Sequence, residues 1–262
     1  MSAARRLGWW WVGALLGAGA TGCDLLFGVD PLTPAADGAS GRDGAGADAI
    51  SVDAPAECPS GGPRQTEVSG AIAEVTVPRN SNGPFGCLDV VNAGAGIGSG
   101  GLFRFVHPIL PGGSIVGYRI TFPFADGDRV ECEGGPCLSI EVPGAMNLRL
   151  VDSAAPDWTE AGVRWTTPNG SGAWPDGDGT LGAYLTQPVA QVQHAAGAAT
   201  VFDLADVVGV GSQVDGNDHL EAWLEPALNS PAVAVISAKE NALCQPALGQ
   251  ARAVLETVYC LP

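Results

Sequence analysis

The chain has 262 residues, a length for one or two domains, with 38 Gly and 20 Pro and a 46% share of hydrophobic residues, enough for a buried core. Lys and Arg number 12 against 28 Asp and Glu, a formal net charge of −16. Such an acidic surface excludes nucleic acid as a partner, because neutralised phosphates supply most of that affinity.

Residues 1–22 have the layout of a lipoprotein signal peptide. Arg5 and Arg6 form a charged start, Leu7-Gly-Trp-Trp-Trp-Val-Gly-Ala-Leu-Leu16 an apolar stretch, and residues 17–22 a run of small side chains. The apolar stretch is shorter than the ~20 residues a transmembrane helix needs. Cys23 follows Ala20-Thr21-Gly22 and is the expected lipidation site, although Ala20 stands where such signals usually carry leucine. Cleavage would remove two arginines and no acid, so attraction to anionic lipid is absent and membrane attachment must come from acyl chains. The expected location is therefore the bacterial cell envelope, exported and lipid-anchored, in the periplasm or on the outer-membrane surface.

Residues 23–57 read as a lipid-anchored, disordered acidic linker. Ala36-Asp-Gly-Ala-Ser-Gly-Arg-Asp-Gly-Ala-Gly-Ala-Asp48 has almost no bulky apolar group with which to offset its ordering entropy. The 34 residues after Cys23 would span about 30–35 Å as a flexible coil.

From residue 58 to 262 the pattern is that of a β-sandwich domain. Short runs of alternating apolar residues are separated by Gly, Pro, Asn and Asp. Strands are expected at 71–77, 88–91, 101–106, 114–122, 138–142, 147–151, 162–166, 200–204, 219–224, 232–237 and 251–259, with one short helix within 204–210. Such a series specifies an all-β fold, a two-layer antiparallel β-sandwich of jelly-roll type. Gly94-Ala-Gly-Ile-Gly-Ser-Gly-Gly101 mimics a dinucleotide fingerprint but precedes a strand rather than a helix, and reads as a loop.

Six cysteines remain after Cys23: Cys58, Cys87, Cys132, Cys137, Cys244 and Cys260. An even count in an exported chain indicates disulfides. Cys132 and Cys137 flank the tight turn Glu-Gly-Gly-Pro and are expected to pair. If the first and last strands run antiparallel side by side, Cys58 meets Cys260 and the same register brings Cys87 to Cys244. This is one of 15 connectivities.

The order of several segments resembles a family of bacterial and archaeal β-sandwich modules, the DNRLRE domains, which are related to disaggregatase modules and to a carbohydrate-binding module of alginate-degrading enzymes. Asn82-Gly-Pro-Phe-Gly-Cys-Leu-Asp-Val90, Leu102-Phe-Arg-Phe105, Asp157-Trp-Thr-Glu-Ala-Gly-Val-Arg-Trp165, Val201-Phe-Asp-Leu-Ala-Asp-Val-Val208 and the ending Ser237-Ala-Lys-Glu240 with Ala253-Val-Leu-Glu-Thr-Val-Tyr259 are similar to the family's segments in order. The third is the most specific. The family's first-strand Asp-Thr-Tyr is absent, and Glu74-Val-Thr stands there. The resemblance implies a sandwich that serves as an accessory or surface module, with carbohydrate binding in some members.

No serine-nucleophile elbow or zinc-binding helix is present, and the expectation is a protein that is not an enzyme. Asp176-Gly-Asp-Gly179 and Asp215-Gly-Asn-Asp218 resemble fragments of calcium loops, but neither completes one and both read as turns. No cofactor is expected beyond an adventitious calcium. Trp174 lies in a polar loop beside Asp176 and Asp178, and is either a platform for a sugar ring or a plug at the end of the sandwich. The sequence thus leads to a non-catalytic envelope lipoprotein whose module binds a polysaccharide through Trp174, Asp176 and Asp178. The alternatives are a structural lipoprotein with an envelope protein partner and no sugar site, and an enzyme of polysaccharide breakdown. An exposed aromatic platform favours the first reading, a flat apolar patch the second, and a cleft of carboxylates with shifted pKa values the third.

Overall fold

The computed structural model describes residues 58, 61–79, 90–94, 98–125, 141–204, 206–238 and 252–262. Cys23, Cys87, Cys132, Cys137 and Cys244 lie outside the described residues, as do the signal, the linker and the expected strand residues 138–140.

Among the described residues ten antiparallel strands form the fold: β1 (Arg64–Pro78), β2 (Val90–Gly94), β3 (Ser99–Val106), β4 (Ser114–Phe122), β5 (Gly144–Leu150), β6 (Ala190–His194), β7 (Thr200–Leu204), β8 (His219–Pro226), β9 (Val233–Ser237) and β10 (Val254–Cys260). One short helix, α1 (Val207–Gly211), follows β7. The pairing is nested. β1 pairs with β10, β2 with β9, β3 with β8, β4 with β7 and β5 with β6, all antiparallel. The chain behaves as one long hairpin whose tip is the β5–β6 connection. Rolled up, it gives the layers β1-β10-β4-β7 and β6-β5-β8-β3, the jelly-roll order, with the β2–β9 pair added. β1 belongs to both layers. Its first half pairs with β10, its register shifts between Ala71 and Ala73, and its second half pairs with β3. A bulge of this kind bends a strand enough to carry it from one layer to the other.

Strand alternation builds the core. Phe103 and Phe105 of β3, Ile120 and Phe122 of β4, Leu148 and Leu150 of β5, Phe202 of β7 and Leu220 and Leu224 of β8 are all buried in one cluster between the layers. Phe122 packs against Phe103 and Phe202 at centroid distances of 4.7 and 5.9 Å.

The long β5–β6 connection forms a cap that builds a second core. It folds over the outer face of β3 and β8, where Trp158, Val163, Trp174, Leu181 and Tyr184 pack on Val75, Val77, Leu102 and Trp223. A 3-10 turn at Leu181–Tyr184 lies within it. Trp223, which alternates with two glutamates, is thereby fully buried. Its indole crosses β3 at Gly100, where a Cβ would stand 2.0 Å from the ring.

Two local expectations are corrected, and two stretches of strand are added. The strand expected at 162–166 is a turn, bridged only between Arg164 and Thr167, because Val163 and Trp165 serve the cap rather than a sheet. The glycine-rich run is not simply a loop: Ser99, Gly100 and Gly101 begin β3. The first half of β1 and all of β6 were not anticipated.

Cys58 and Cys260 form a disulfide, Cα–Cα 5.5 Å, across a sequence separation of 202. It closes the open end of the nested hairpin, as antiparallel first and last strands require. The chain-entropy model gives about 5 kcal/mol for a loop of this length, an upper figure. Cys58→Ser is therefore expected to lower the unfolding free energy by several kcal/mol, up to about 5. Chemical denaturation of the variant and the parent under oxidising conditions measures the difference.

Candidate functional site

Two clefts adjoin at the end of the sandwich where the cap leaves β5 and the α1–β8 turn returns. The smaller, about 120 Å³, lies between Asp152 and Asp157 of the cap, Gln213, Asp215 and Asn217 of the turn, and Glu221 of β8. The larger, about 430 Å³, has an apolar floor of Leu150, Val189, Leu204 and Val210 and a polar rim of Thr186, Gln187, Asp206, Ser212 and Gln213. Gln213 walls both, and its side-chain oxygen is buried with no hydrogen-bond partner.

The strand register sets the charge of the smaller cleft. Arg104 and Glu221 are directly opposite on β3 and β8, on the face covered by the cap. Arg104 Nε donates to Glu221 Oε1 at 2.6 Å. Its other nitrogens reach Asp157 at 2.6 Å and the Trp158 carbonyl at 3.4 Å, and the guanidinium lies 4.5 Å over the Trp158 ring. This arrangement ties the Leu102–Phe105 segment to the segment that begins at Asp157, two of the pieces that carry the family resemblance. Burial raises the Glu221 pKa above the ordinary carboxylate value, against the opposing pull of Arg104 and the Trp158 side chain.

The other carboxylates are held by short turns. Asp215 Oδ1 accepts from the backbone N–H groups of Asn217 and His219, each at 2.8 Å, and Asp152 Oδ1 accepts from Ala154 N at 2.8 Å. The run from Asp215 to Asp218 is a turn, as its sequence implies, with Asp218 at φ 60°. The fold also gathers two histidines that are distant in sequence. His107 N donates to the Asp218 carbonyl at 2.7 Å, and the His219 ring approaches Asp215 at 3.3 Å. The His107 ring contacts the Tyr118 hydroxyl at 2.9 Å. Burial lowers the His107 pKa, with Asp218 opposing, and pushes Tyr118 up to about 12.

The residues expected to bind a ligand sit elsewhere, within the cap. Trp174 is 1% exposed. Its indole N–H donates to the Arg164 carbonyl at 3.2 Å and its ring packs on Tyr184. It is buried within the cap over β3 and β8 rather than exposed as a platform. Asp176 accepts the Tyr184 hydroxyl at 2.7 Å, and Asp178 accepts from the Thr180 backbone and hydroxyl. The three do lie together, but their contacts hold the cap. Among the described residues, no group of three or more His, Cys, Asp and Glu side chains is arranged to hold a metal ion.

The sequence reading missed both clefts. Glu221 and Arg104 were visible as charges within apolar strands, but only the β3–β8 register makes them partners. A scan of family models finds no match to this chain, and a search of curated proteins finds none. The likeness to DNRLRE modules therefore rests on the short segments alone.

Two outcomes follow. Trp174→Ala is expected to cost about 3–5 kcal/mol, the loss typical of a buried tryptophan, seen as a large drop in melting temperature. Glu221 binds a proton more tightly in the folded state than in the unfolded chain. Its contribution is thus fully present below the ordinary carboxylate pKa near 4.5 and is lost as pH rises through the elevated folded value. Glu221→Gln should remove that component. An unchanged slope of stability against pH over this window would show that another group carries it.

Proposed function

We propose that the chain is a non-catalytic, lipid-anchored envelope protein that displays a carbohydrate-binding jelly roll. The observation that carries the ligand assignment is the 430 Å³ groove. Its volume is in the range of small-molecule sites, and such sites combine an apolar surface with a few polar groups that fix orientation. Val189 offers exposed surface to the C–H face of a sugar ring above the buried Leu150 and Val210, while Thr186, Gln187, Asp206, Ser212 and Gln213 offer hydrogen bonds to its hydroxyls. The carboxylates of the adjoining cleft add acceptors for hydroxyl donors. The net charge of −16 favours a neutral glycan over an anionic polymer such as alginate. The non-catalytic assignment is supported by the role of Glu221. It is the cleft carboxyl with raised proton affinity, and it is committed to Arg104 within the sheet.

One observation favours a structural or protein-binding lipoprotein without a sugar site. Trp158, Trp174 and Trp223 are buried, and the exposed large hydrophobic residues described are all aliphatic, so no aromatic platform faces solvent among them. In that case the groove is a docking feature for an envelope protein.

Calorimetric titration of the full chain against neutral and acidic polysaccharides separates the two. The expected result is heat with a neutral glycan that falls at least about tenfold in affinity for Val189→Asp, whose side chain borders the groove and is already part-exposed. Absence of heat with every glycan would sink the sugar-binding reading in favour of the protein-binding one. The anchor is tested by detergent partitioning of cells that express the protein. Cys23→Ala should move the protein from the detergent-rich to the aqueous phase, and retention with the membranes would remove the anchor from the proposal.

A further inference from the structure

We infer that the β3–β4 loop seats its aliphatic tip in the bilayer that carries the lipid anchor, at the boundary of headgroups and acyl chains. From Phe105 to Tyr118 the sequence contains no Asp, Glu, Lys or Arg, in a chain of net charge −16. The loop is held at its start and by its own turn. His107 N donates to the Asp218 carbonyl at 2.7 Å, and Gly113 N donates to the Leu110 carbonyl at 3.3 Å. Pro111 and Gly112, the latter at φ 75°, occupy the centre of that turn, the order that a type II turn favours. Ile109, just before it, is left 74% exposed, and Val106 42%. A side chain presented by a stiff turn has already lost part of the freedom that binding would otherwise cost.

One exposed aliphatic side chain is ordinary on a protein surface, and it is the position of this one that assigns a partner. β4 starts at Ser114 opposite Cys260, and Cys260 is bonded to Cys58, the first described residue. A Cβ on Gly113 would stand 3.1 Å from the Tyr259 side chain and 3.5 Å from the Cys260 carbonyl. The loop therefore lies at the end of the domain where the chain from Cys23 enters. Helix α1 emerges at the same end, because β7 runs antiparallel to β4 with Leu204 opposite Tyr118, and its Val208 is also strongly exposed. Loop and helix meet around Tyr118, whose hydroxyl contacts the His107 ring and would lie 3.7 Å from a Cβ on Gly211. Leu228 is as exposed but sits in the turn after β8, at the opposite end. Acyl chains on Cys23 would confine the loop's end of the domain within 34 residues of a bilayer. Such a tether gives an effective concentration on the order of mM, enough to populate a contact too weak to form between free partners. Acids of α1 and the following turn, Asp206, Asp215 and Asp218, outweigh Arg64 at this end, so the lipid that fits is zwitterionic rather than anionic. The inference rests on the lipid-anchor half of the proposed function and not on its sugar-binding half.

The test uses the lipidated full chain in vesicles of phosphatidylcholine doped with a diazirine-bearing phosphatidylcholine. Irradiation couples lipid to the side chains it touches, and trypsin, cutting after Arg104 and Arg119, releases the loop in one peptide. Adducts are expected on residues 106–111. Their yield should fall at least about fivefold for Ile109→Asp, stay unchanged for Leu228→Asp, and drop when phosphatidylglycerol replaces part of the lipid. A vesicle-bound parent without adducts in this peptide would overturn the inference while leaving the anchor in place. So would an Ile109→Asp chain labelled like the parent, or a yield that rises with phosphatidylglycerol. A parent that does not float with the vesicles would remove the anchor reading, and the inference with it. If Ile109→Asp fails to fold, Ile109→Asn replaces it and is read in the same way.

Discussion

Strands β3 and β8 are covered on both faces, and a strand in that position has no side on which an unpaired charge can sit at low cost. On the inner face the alternation supplies Phe103, Phe105, Leu220 and Leu224 to the main core. On the outer face it supplies Leu102 and Trp223, but also Arg104, Glu221 and Glu225, all buried. The sheet itself supplies most of the partners for these charges, and the cap adds Asp157. Arg104 takes Glu221 and Asp157, and Glu225 takes Arg149, Arg79 and the indole N–H of Trp223. Removing one member of such a pair typically costs about 3–5 kcal/mol because the other is left buried without a counter-charge. The β5–β6 connection is tied to this network at two points, through Asp157 and the Trp158 carbonyl on Arg104 and through the Thr186 carbonyl on Arg149.

The nested pairing explains why the clefts form where they do. Its open end is closed by Cys58–Cys260 and its tip is the β5–β6 connection. The tip is free of ladder constraints and long enough to fold back over β3 and β8. Where it departs, at Asp152, and where it returns, near Val189, it must leave the sheet surface. The α1–β8 turn crosses the same region without filling it. The gaps between these three segments are the two clefts. Their carboxylates are presented by turns, while their floor is the end of the main core.

Much of the fold was legible in the sequence because period-two alternation is strong wherever one face is buried and the other is not. Residues 114–122 show it clearly, and β4 has those bounds. The first half of β1 gave no such signal, because residues 64–68 are exposed on both faces. Residues 162–166 gave a false one, because a buried turn can also place Val163 and Trp165 two apart and inward. The Cys58–Cys260 pairing was legible from topology alone. The site was much less so. Trp174 in a loop of Gly, Ser, Asn and Asp resembles a surface platform until Tyr184 and the Arg164 carbonyl are seen to enclose it. The cleft residues come from four separate segments, and no local pattern relates Asp152 or Gln213 to Glu221.

The use made of tryptophan narrows what the surface can recognise. Trp158, Trp174 and Trp223 are spent on the second core, and Trp165 lies between Trp223 and the Arg79 guanidinium, 4.8 Å from the latter. Among the described residues no tryptophan is exposed as a stacking face for the proposed ligand. What remains is an aliphatic groove, a rim of amides and hydroxyls, and fixed carboxylates nearby. That set offers more acceptors than donors, so it suits a ligand rich in hydroxyl or other N–H and O–H groups and disfavours one that carries its own negative charge. A ligand held in this way is recognised chiefly by hydrogen-bond geometry, so changes at the groove's rim should alter selectivity more than they alter the stability of the sandwich beneath it.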